Sequence, residues 1–198
     1  MIRRFIKSGA LVASFLCMVI PRFTFAETAE SLRTVDASKR QQVVRDLISQ
    51  RKETIGSLIS ILADPNSDRR YRGLLHTSAY LCGEYRAVEA VKPLIAILDF
   101  VPTGYEVEET EPREHRYVAA LALTQIGSPC LPDVAEIVKS PSDKRHAIAS
   151  WVVLKVLGKD FAVAYLKTVV TTNEVEKAGI ESALGYITTY KPVYGPSK

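Results

Sequence analysis

Sequence motifs of the common enzyme classes are missing from this chain. There is no nucleophile elbow, phosphate-binding P-loop, H-E-x-x-H or dinucleotide-binding fingerprint. Potential metal ligands are also scarce, since the 198 residues include only three histidines and three cysteines. We therefore expect no enzymatic activity, no cofactor and no metal site.

Long hydrophobic runs are absent as well, which decides how the N-terminal segment is interpreted. Three basic residues precede an apolar run over residues 10–20, and Thr24 and Ala26 offer the small side chains that a signal peptidase recognises. The run is well short of the roughly 20 residues that span a bilayer. A cleaved signal peptide over residues 1–26 is thus favoured over an uncleaved anchor. We predict an exported protein, periplasmic or secreted, with no integral membrane span after cleavage.

Without that segment, the chain has as many basic as acidic residues. The chain has 26 Lys and Arg residues against 22 Asp and Glu, and the four basic residues of segment 1–26, which has no acidic residue, account for the difference. A neutral mature chain lacks the broad positive potential that attracts nucleic acids. We expect no nucleic-acid partner.

An internal repeat is present, and it becomes visible when Gly83, Gly127 and Gly158 are aligned. Apolar residues recur one and four positions before each glycine, and four, eight and eleven positions after it. These spacings place apolar side chains on one face of a helix on either side of a turn. Two short amphipathic helices cannot bury both faces alone, so neighbouring pairs should stack around a continuous core.

The repeat over residues 64–170 resembles the HEAT family. The residues that carry the resemblance in the best copy are Asp64-Pro65, Arg72, Leu81, Gly83, Arg86-Ala87-Val88 and Pro93-Leu94-Ile95. The second copy keeps Arg116, Ile126-Gly127 and Pro129, whereas the third keeps Leu157-Gly158 but lacks the proline of the second helix. The resemblance implies an all-α fold, a right-handed α-solenoid of about four HEAT-like helix pairs plus a C-terminal capping helix. It also implies binding rather than catalysis.

The helical periodicity divides the chain into segments. Residues 27–37 form an N-terminal linker, residues 38–189 the repeat domain and residues 190–198 a C-terminal tail. Within the domain, we predict helix pairs at 38–50 and 52–63, 67–82 and 86–98, 113–126 and 130–139, and 143–157 and 160–171, with the capping helix at 173–189. No long run alternates with period two, so strands are not expected.

An acidic insertion over residues 99–112 lengthens one repeat: Gly83 and Gly127 are 44 residues apart, whereas Gly127 and Gly158 are 31 apart. Two prolines and a glycine in it predict a long loop without a helix. The glutamates of this acidic loop are Glu106, Glu108, Glu109 and Glu111. Such a loop is either functional or simply solvated.

Seven basic residues occupy equivalent positions near the predicted starts of the first helices of successive pairs, and we call them the basic ridge. They are Arg69, Arg70, Arg72, Arg113, Arg116, Lys144 and Arg145. Cations at helix N-termini are slightly unfavourable unless an anion is near. Local carboxylates such as Asp143 and Glu114 could supply that anion, or the ridge could bind an acidic protein segment, an anionic glycan or a phosphate group. The acidic loop ends next to Arg113, so it could cover the ridge until an acidic partner displaces it.

Several single residues have both a structural and a functional interpretation. Cys82 lies in an apolar column, which favours a buried thiol over a disulfide with Cys130. His115 and His146 share a column, but stacked helices lie ~10 Å apart, too far for a shared metal ion. Trp151, the single tryptophan, is interpreted as a core residue rather than an exposed anchor.

These features favour a non-enzymatic protein–protein interaction or scaffold module of the bacterial envelope, with a protein partner that is acidic if the ridge is the contact. The alternative is an enzyme or enzyme-accessory protein that binds an anionic ligand on the basic ridge, by analogy with HEAT-like phycobilin lyases. A scaffold for its own oligomer is a third interpretation.

Overall fold

The computed structural model describes residues 37–64, 73–102 and 112–193, with side chains from residue 48 onward. Regular secondary structure in these ranges is helical throughout, which confirms the all-α prediction. The predicted signal peptide, the linker before Ala37 and the tail beyond Val193 lie outside the described residues.

Eight α-helices lie in the described ranges: α1 (Ala37–Ala63), α2 (Leu74–Glu84), α3 (Val91–Ala96), α4 (Val118–Ile126), α5 (Leu131–Val138), α6 (His146–Leu157), α7 (Lys159–Thr168) and α8 (Glu174–Thr189). Short 3₁₀ helices precede α3, α4 and α5, at Val88–Ala90, Arg113–Arg116 and Ser128–Cys130. From residue 113 onward, the predicted helix boundaries agree with these bounds to within a few residues.

The first predicted helix pair is instead a single helix. We expected two helices at 38–50 and 52–63, whereas α1 continues from Ala37 to Ala63. Residues 50–52 read Gln-Arg-Lys, and all three residue types are good helix formers, so nothing local ends the helix there. In the described chain, three helix pairs (α2 and α3, α4 and α5, α6 and α7) and α8 therefore follow one long helix.

The chain divides into two units between Thr54 and Ile55, within α1. In the N-terminal unit the structure describes the helix from Ala37 to Thr54, whose residues 48–53 are exposed. The C-terminal unit, from Ile55 onward, contains all the elements considered below.

In the C-terminal unit the first helices of the pairs contact one another in chain order. Helix α2 contacts α4, α4 contacts α6, and α6 contacts α8. Of the second helices, α3 packs against α4 and α5, α5 packs against α6 and α8, and α7 packs against α6 and α8. Each pair thus contacts the element that follows it along the chain.

The aligned apolar positions form the core. Those around Gly83 and Gly127 are all buried, whereas Leu154, Leu157 and Val169 of the third copy are half-buried. In the described chain this copy is followed by one helix, α8, rather than by another pair, so part of its apolar face stays nearer to solvent. Trp151 is 1% exposed, which confirms its assignment to the core.

The three aligned glycines have two different roles. Gly127 and Gly158 have φ values of 82° and 74° and form the predicted turns, a backbone conformation that is unfavourable for other L-residues. Gly83 instead lies inside α2, where an added Cβ would come within 2.9 Å of Ala122 Cα in α4. It therefore permits close helix packing, and the positive-φ residue of its turn is Arg86, with φ 47°.

Cys82 and Cys130 are free, fully buried thiols, which confirms the interpretation of Cys82. Burial raises the pKa of each thiol to about 11, so both stay protonated near neutral pH. They are small apolar core residues rather than reactive thiolates.

Among the described residues, no single helix is both long and apolar enough to cross a membrane. One pair, Val118–Ile126 with Ser128–Val138, meets the length and composition requirement jointly, but it is bent by 113°.

Candidate binding site at the Arg113–Arg116 turn

The basic ridge divides into three groups in the structure. Outside the described residues lie Arg69, Arg70 and Arg72, together with Glu106, Glu108, Glu109 and Glu111 of the acidic loop. Lys144 and Arg145 are paired with carboxylates. Arg113 and Arg116 have no such pairing among the described residues, which sets them apart from the rest of the ridge.

Arg145 and Lys144 are neutralised locally. Lys144 Nζ forms an ion pair with Asp99, the first residue of the acidic insertion. Arg145 donates from Nε and Nη2 to the two oxygens of Asp143, at 3.0 and 2.7 Å, and from Nη1 to the Ile95 carbonyl oxygen at 3.3 Å. The hydrogen bonds from Arg145 lower the pKa of Asp143, and they raise the pKa of Arg145. Local carboxylates therefore account for this part of the ridge.

Arg113 and Arg116 lie one turn apart on the 3₁₀ helix before α4. Such a helix has three residues per turn, so side chains at positions i and i+3 project from the same side. Both residues are half-buried, and the Nε of each is buried without a hydrogen-bond partner in the described chain. In the ranges that the structure describes, no carboxylate oxygen lies within 4 Å of either guanidinium. Among the described residues, these two positive charges therefore have no carboxylate in contact with them.

Tyr117 orients the second of these arginines. Arg116 Nη2 donates to the Tyr117 hydroxyl at 2.7 Å, and the guanidinium carbon lies 4.8 Å from the centroid of the Tyr117 ring. These contacts restrain the plane of the guanidinium without neutralising its charge. An arginine held this way presents its remaining donors to a carboxylate or a phosphate in a fixed geometry.

Glu114, which lies between the two arginines in sequence, contacts α8 instead of pairing with them. Its Oε1 accepts a hydrogen bond from the Tyr186 hydroxyl at 3.4 Å, and its Oε2 is buried without a partner in the described chain. Burial, reinforced by the Glu114 charge, raises the pKa of Tyr186, which keeps this hydroxyl a donor. The expectation that Glu114 would neutralise the ridge is therefore wrong for the described residues.

Aromatic residues from α6 and from the chain after α8 surround the turn. The His115 ring meets Trp151 edge to face, with ring centroids 6.1 Å apart. Trp151 Nε1 donates to the Tyr190 hydroxyl at 3.2 Å, and the backbone N–H of Arg113 donates to the Val193 carbonyl oxygen at 3.1 Å. The position of the turn thus depends on two segments that are distant in sequence.

His146, the ridge's neighbour at the start of α6, is buried, and neither of its ring nitrogens has a hydrogen-bond partner in the described part of the chain. Burial lowers its pKa and outweighs the opposing influence of the Val138 carbonyl and of Asp143. Within the described ranges, no group of three or more His, Cys, Asp or Glu side chains is arranged to hold a metal ion.

Sequence reasoning identified the two arginines but missed most of their surroundings. Tyr186, in α8, and Tyr190, directly after it, were not recognised, although a spacing of four residues is one that brings side chains together on a helix. The centroids of the two tyrosine rings lie 5.5 Å apart. Trp151 was recognised only as a core residue. Its hydrogen bond to Tyr190 was missed, because the sequence does not show which residue accepts the indole N–H.

No protein-family model, no curated protein and no solved structure matches this chain. The geometry of the turn therefore carries the functional argument. Two arginines on one side of a turn, one of them oriented by a tyrosine, form a site suited to an anionic group.

Proposed function

We propose that this chain is a non-enzymatic interaction module of the bacterial envelope, a small HEAT-like α-solenoid that holds an acidic protein segment at the Arg113–Arg116 turn. The packing of α2, α4, α6 and α8 in chain order supports the solenoid.

The proposal that the protein is exported rests on the signal-peptide pattern of residues 1–26. N-terminal sequencing of the envelope form should give a chain that begins at Glu27. Recovery of a chain that begins at Met1 would contradict cleavage.

The observation that carries the binding site is the contrast within the ridge. Arg145 and Lys144 are paired with Asp143 and Asp99, whereas Arg113 and Arg116, one turn apart, contact no carboxylate among the described residues. The Nε atoms of both arginines are buried, so a partner's carboxylate would bind the terminal Nη groups, and hydrogen bonds to charged groups contribute about 1.5–3 kcal/mol each. The same carboxylate would offset the positive charge of the two guanidinium groups.

Binding of a defined acidic probe tests this site. The full chain is titrated into a fluorescein-labelled octaglutamate peptide at low salt, and fluorescence anisotropy measures the dissociation constant. We expect Arg113→Gln/Arg116→Gln to weaken binding by at least about tenfold, since two charge-assisted contacts are lost. Binding to the wild-type chain should also weaken as salt increases.

The matched control is Lys92→Gln/Lys167→Gln, which removes the same charge from two exposed lysines elsewhere in the C-terminal unit. It should change the affinity by less than about twofold, the effect of two distant screened charges. Equal losses in the two double variants would show that only net charge matters and would contradict the site. Displacement of the peptide by inorganic phosphate at concentrations where acetate has no effect would instead favour the alternative function, binding of a small anionic ligand.

A further inference from the structure

The chain that follows α8 is attached to the Arg113–Arg116 turn by two contacts of different kinds. The Tyr190 hydroxyl accepts a hydrogen bond from Trp151 Nε1 at 3.2 Å, and the Val193 carbonyl oxygen accepts one from the backbone N–H of Arg113 at 3.1 Å. Tyr190 is half-buried, whereas Lys191, Pro192 and Val193 are exposed. This segment therefore contributes little core, and its described polar contacts lead to the binding site.

The backbone contact satisfies an N–H group at the start of the turn. The Arg113–Arg116 helix has four residues, and the first N–H groups of a helix have no acceptor within the helix itself. Inside the turn, the N–H groups of His115 and Tyr117 donate to Pro112 and Glu114 at 2.9 and 3.0 Å. The Val193 carbonyl supplies the acceptor that the N–H of Arg113 would otherwise lack.

The side-chain contact supports the same turn from a second direction. Tyr190 binds Trp151, and Trp151 packs against the His115 ring inside the turn. Tyr190 also packs against Tyr186, whose hydroxyl donates to Glu114. A displacement of residue 190 would therefore change the contacts of two residues that lie between the ridge arginines.

We propose that residues 190–193 form a C-terminal latch that holds Arg113 and Arg116 in one orientation and thereby sets the affinity of the site for its acidic partner. This inference rests on the proposed function. The latch pre-organises the turn, so that less ordering remains for the partner to impose on binding. Because coupling between two sites is reciprocal, partner binding should in turn slow the opening of the latch.

Trp151 fluorescence tests the side-chain contact without any ligand. It is the only tryptophan in the chain, so emission excited at wavelengths that tyrosine does not absorb reports on its surroundings alone. Tyr190→Phe removes the acceptor of the indole N–H and keeps the ring, and it should alter the emission maximum or intensity. The matched control is Tyr80→Phe, at a half-exposed tyrosine of α2, which should leave the spectrum unchanged.

Amide exchange tests the backbone contact. A chain that ends at Thr189 removes the Val193 acceptor, and the exchange rate of the Arg113 amide, measured by NMR, should rise while that of buried amides in α4 stays the same. Octaglutamate should bind this chain about 3- to 10-fold more weakly, which corresponds to the cost of ordering one or two side chains. In the full chain, saturating peptide should slow exchange at Arg113.

The outcomes separate the latch from the function on which it rests. If wild-type protein does not bind octaglutamate, the proposed function fails, while the fluorescence and exchange measurements still decide whether the latch exists. Unchanged exchange at Arg113 in the shortened chain overturns the latch. Faster exchange with unchanged affinity overturns its control of binding. If the shortened chain does not fold, as judged by circular dichroism, a chain that ends at Lys191 removes the Val193 acceptor but keeps Tyr190, and the same affinity and exchange measurements on it decide both questions.

Discussion

Gly179 and Gly185 lie on the same helix, α8, but an added methyl group would meet very different surroundings at the two positions. At Gly179, an ideal Cβ would lie 2.5 Å from the Lys139 carbonyl oxygen and 2.7 Å from the Val138 carbonyl oxygen. At Gly185, the same atom would have nothing within 4 Å. The pair therefore isolates the effect of the close approach between α8 and the end of α5.

The structure determines the sign and the approximate size of each effect. Replacing glycine by alanine in a helix interior is favourable by about 1 kcal/mol. Gly185→Ala should therefore raise the free energy of unfolding by about 0.5–1 kcal/mol. At Gly179, the obstructing atoms belong to the backbone and cannot rotate away, and overpacking of this kind costs about 1–3 kcal/mol, sometimes more. Because the propensity gain offsets part of this cost, Gly179→Ala should be less stable than wild type by up to about 2 kcal/mol.

Urea unfolding followed by far-UV circular dichroism measures both variants against wild type. We expect the midpoints to move in opposite directions, with the dependence on urea unchanged, because neither substitution alters the surface exposed on unfolding. A shift of both midpoints in the same direction would refute the close contact between Gly179 and the carbonyl groups at the end of α5.

Leu123→Ala should lower the free energy of unfolding by about 2–5 kcal/mol because it leaves a cavity at a fully buried position, whereas Val170→Ala, at an exposed position, should change it by less than about 0.5 kcal/mol; urea titrations of both variants measure the difference. Burial lowers the pKa of His146, so the unfolded chain takes up this proton first as the pH falls. Stability should decline below about pH 6.5, and it should decline less in His146→Gln, when unfolding is measured between about pH 7.5 and 5.5. Arg86→Gly should raise the thermal midpoint, with a gain of about 0.5–1 kcal/mol, because Arg86 has a φ of 47°; a lower midpoint would contradict this reasoning. Deletion of residues 103–110 should strengthen octaglutamate binding at low salt, with the gain fading at high salt, if the acidic loop covers the ridge; unchanged or weaker binding would count against the cover.

The sequence predicted helix boundaries best where a glycine marks the end of a helix. Gly127 and Gly158 mark turns that require positive φ, and apolar spacing on both sides of them located α4 to α8 within a few residues. The predicted break at residues 50–52 was wrong, because no glycine or proline separates the two predicted helices and α1 continues through these residues. It also misassigned the role of Gly83, since a glycine that permits close packing and a glycine that permits a turn look the same in an alignment of repeats.

The candidate site was predictable only in part. The pairing of Arg145 with Asp143 joins residues two apart, and a local reading suggested it. That Arg113 and Arg116 contact no carboxylate in the described part of the chain was not predictable, because Glu114 was the obvious local partner and its carboxylate instead accepts a hydrogen bond from the Tyr186 hydroxyl. The partner of a charged group is decided by differences of a few tenths of an ångström in distance. Closeness in sequence does not determine these distances.

The sequence by itself determined the helical class, the periodic core and most helix boundaries, because these depend on interactions between residues three or four positions apart and on the dihedral preferences of glycine. Only the tertiary structure decided which of the described ridge arginines contact a described carboxylate. It also decided that Trp151 and Val193 contact the Arg113–Arg116 turn and that Tyr190 contacts Trp151. These contacts join residues that helix packing brings together from distant segments. A hydrogen bond requires its donor and acceptor to lie within about 3 Å in a suitable direction, and residue types and spacings along a chain do not specify that geometry.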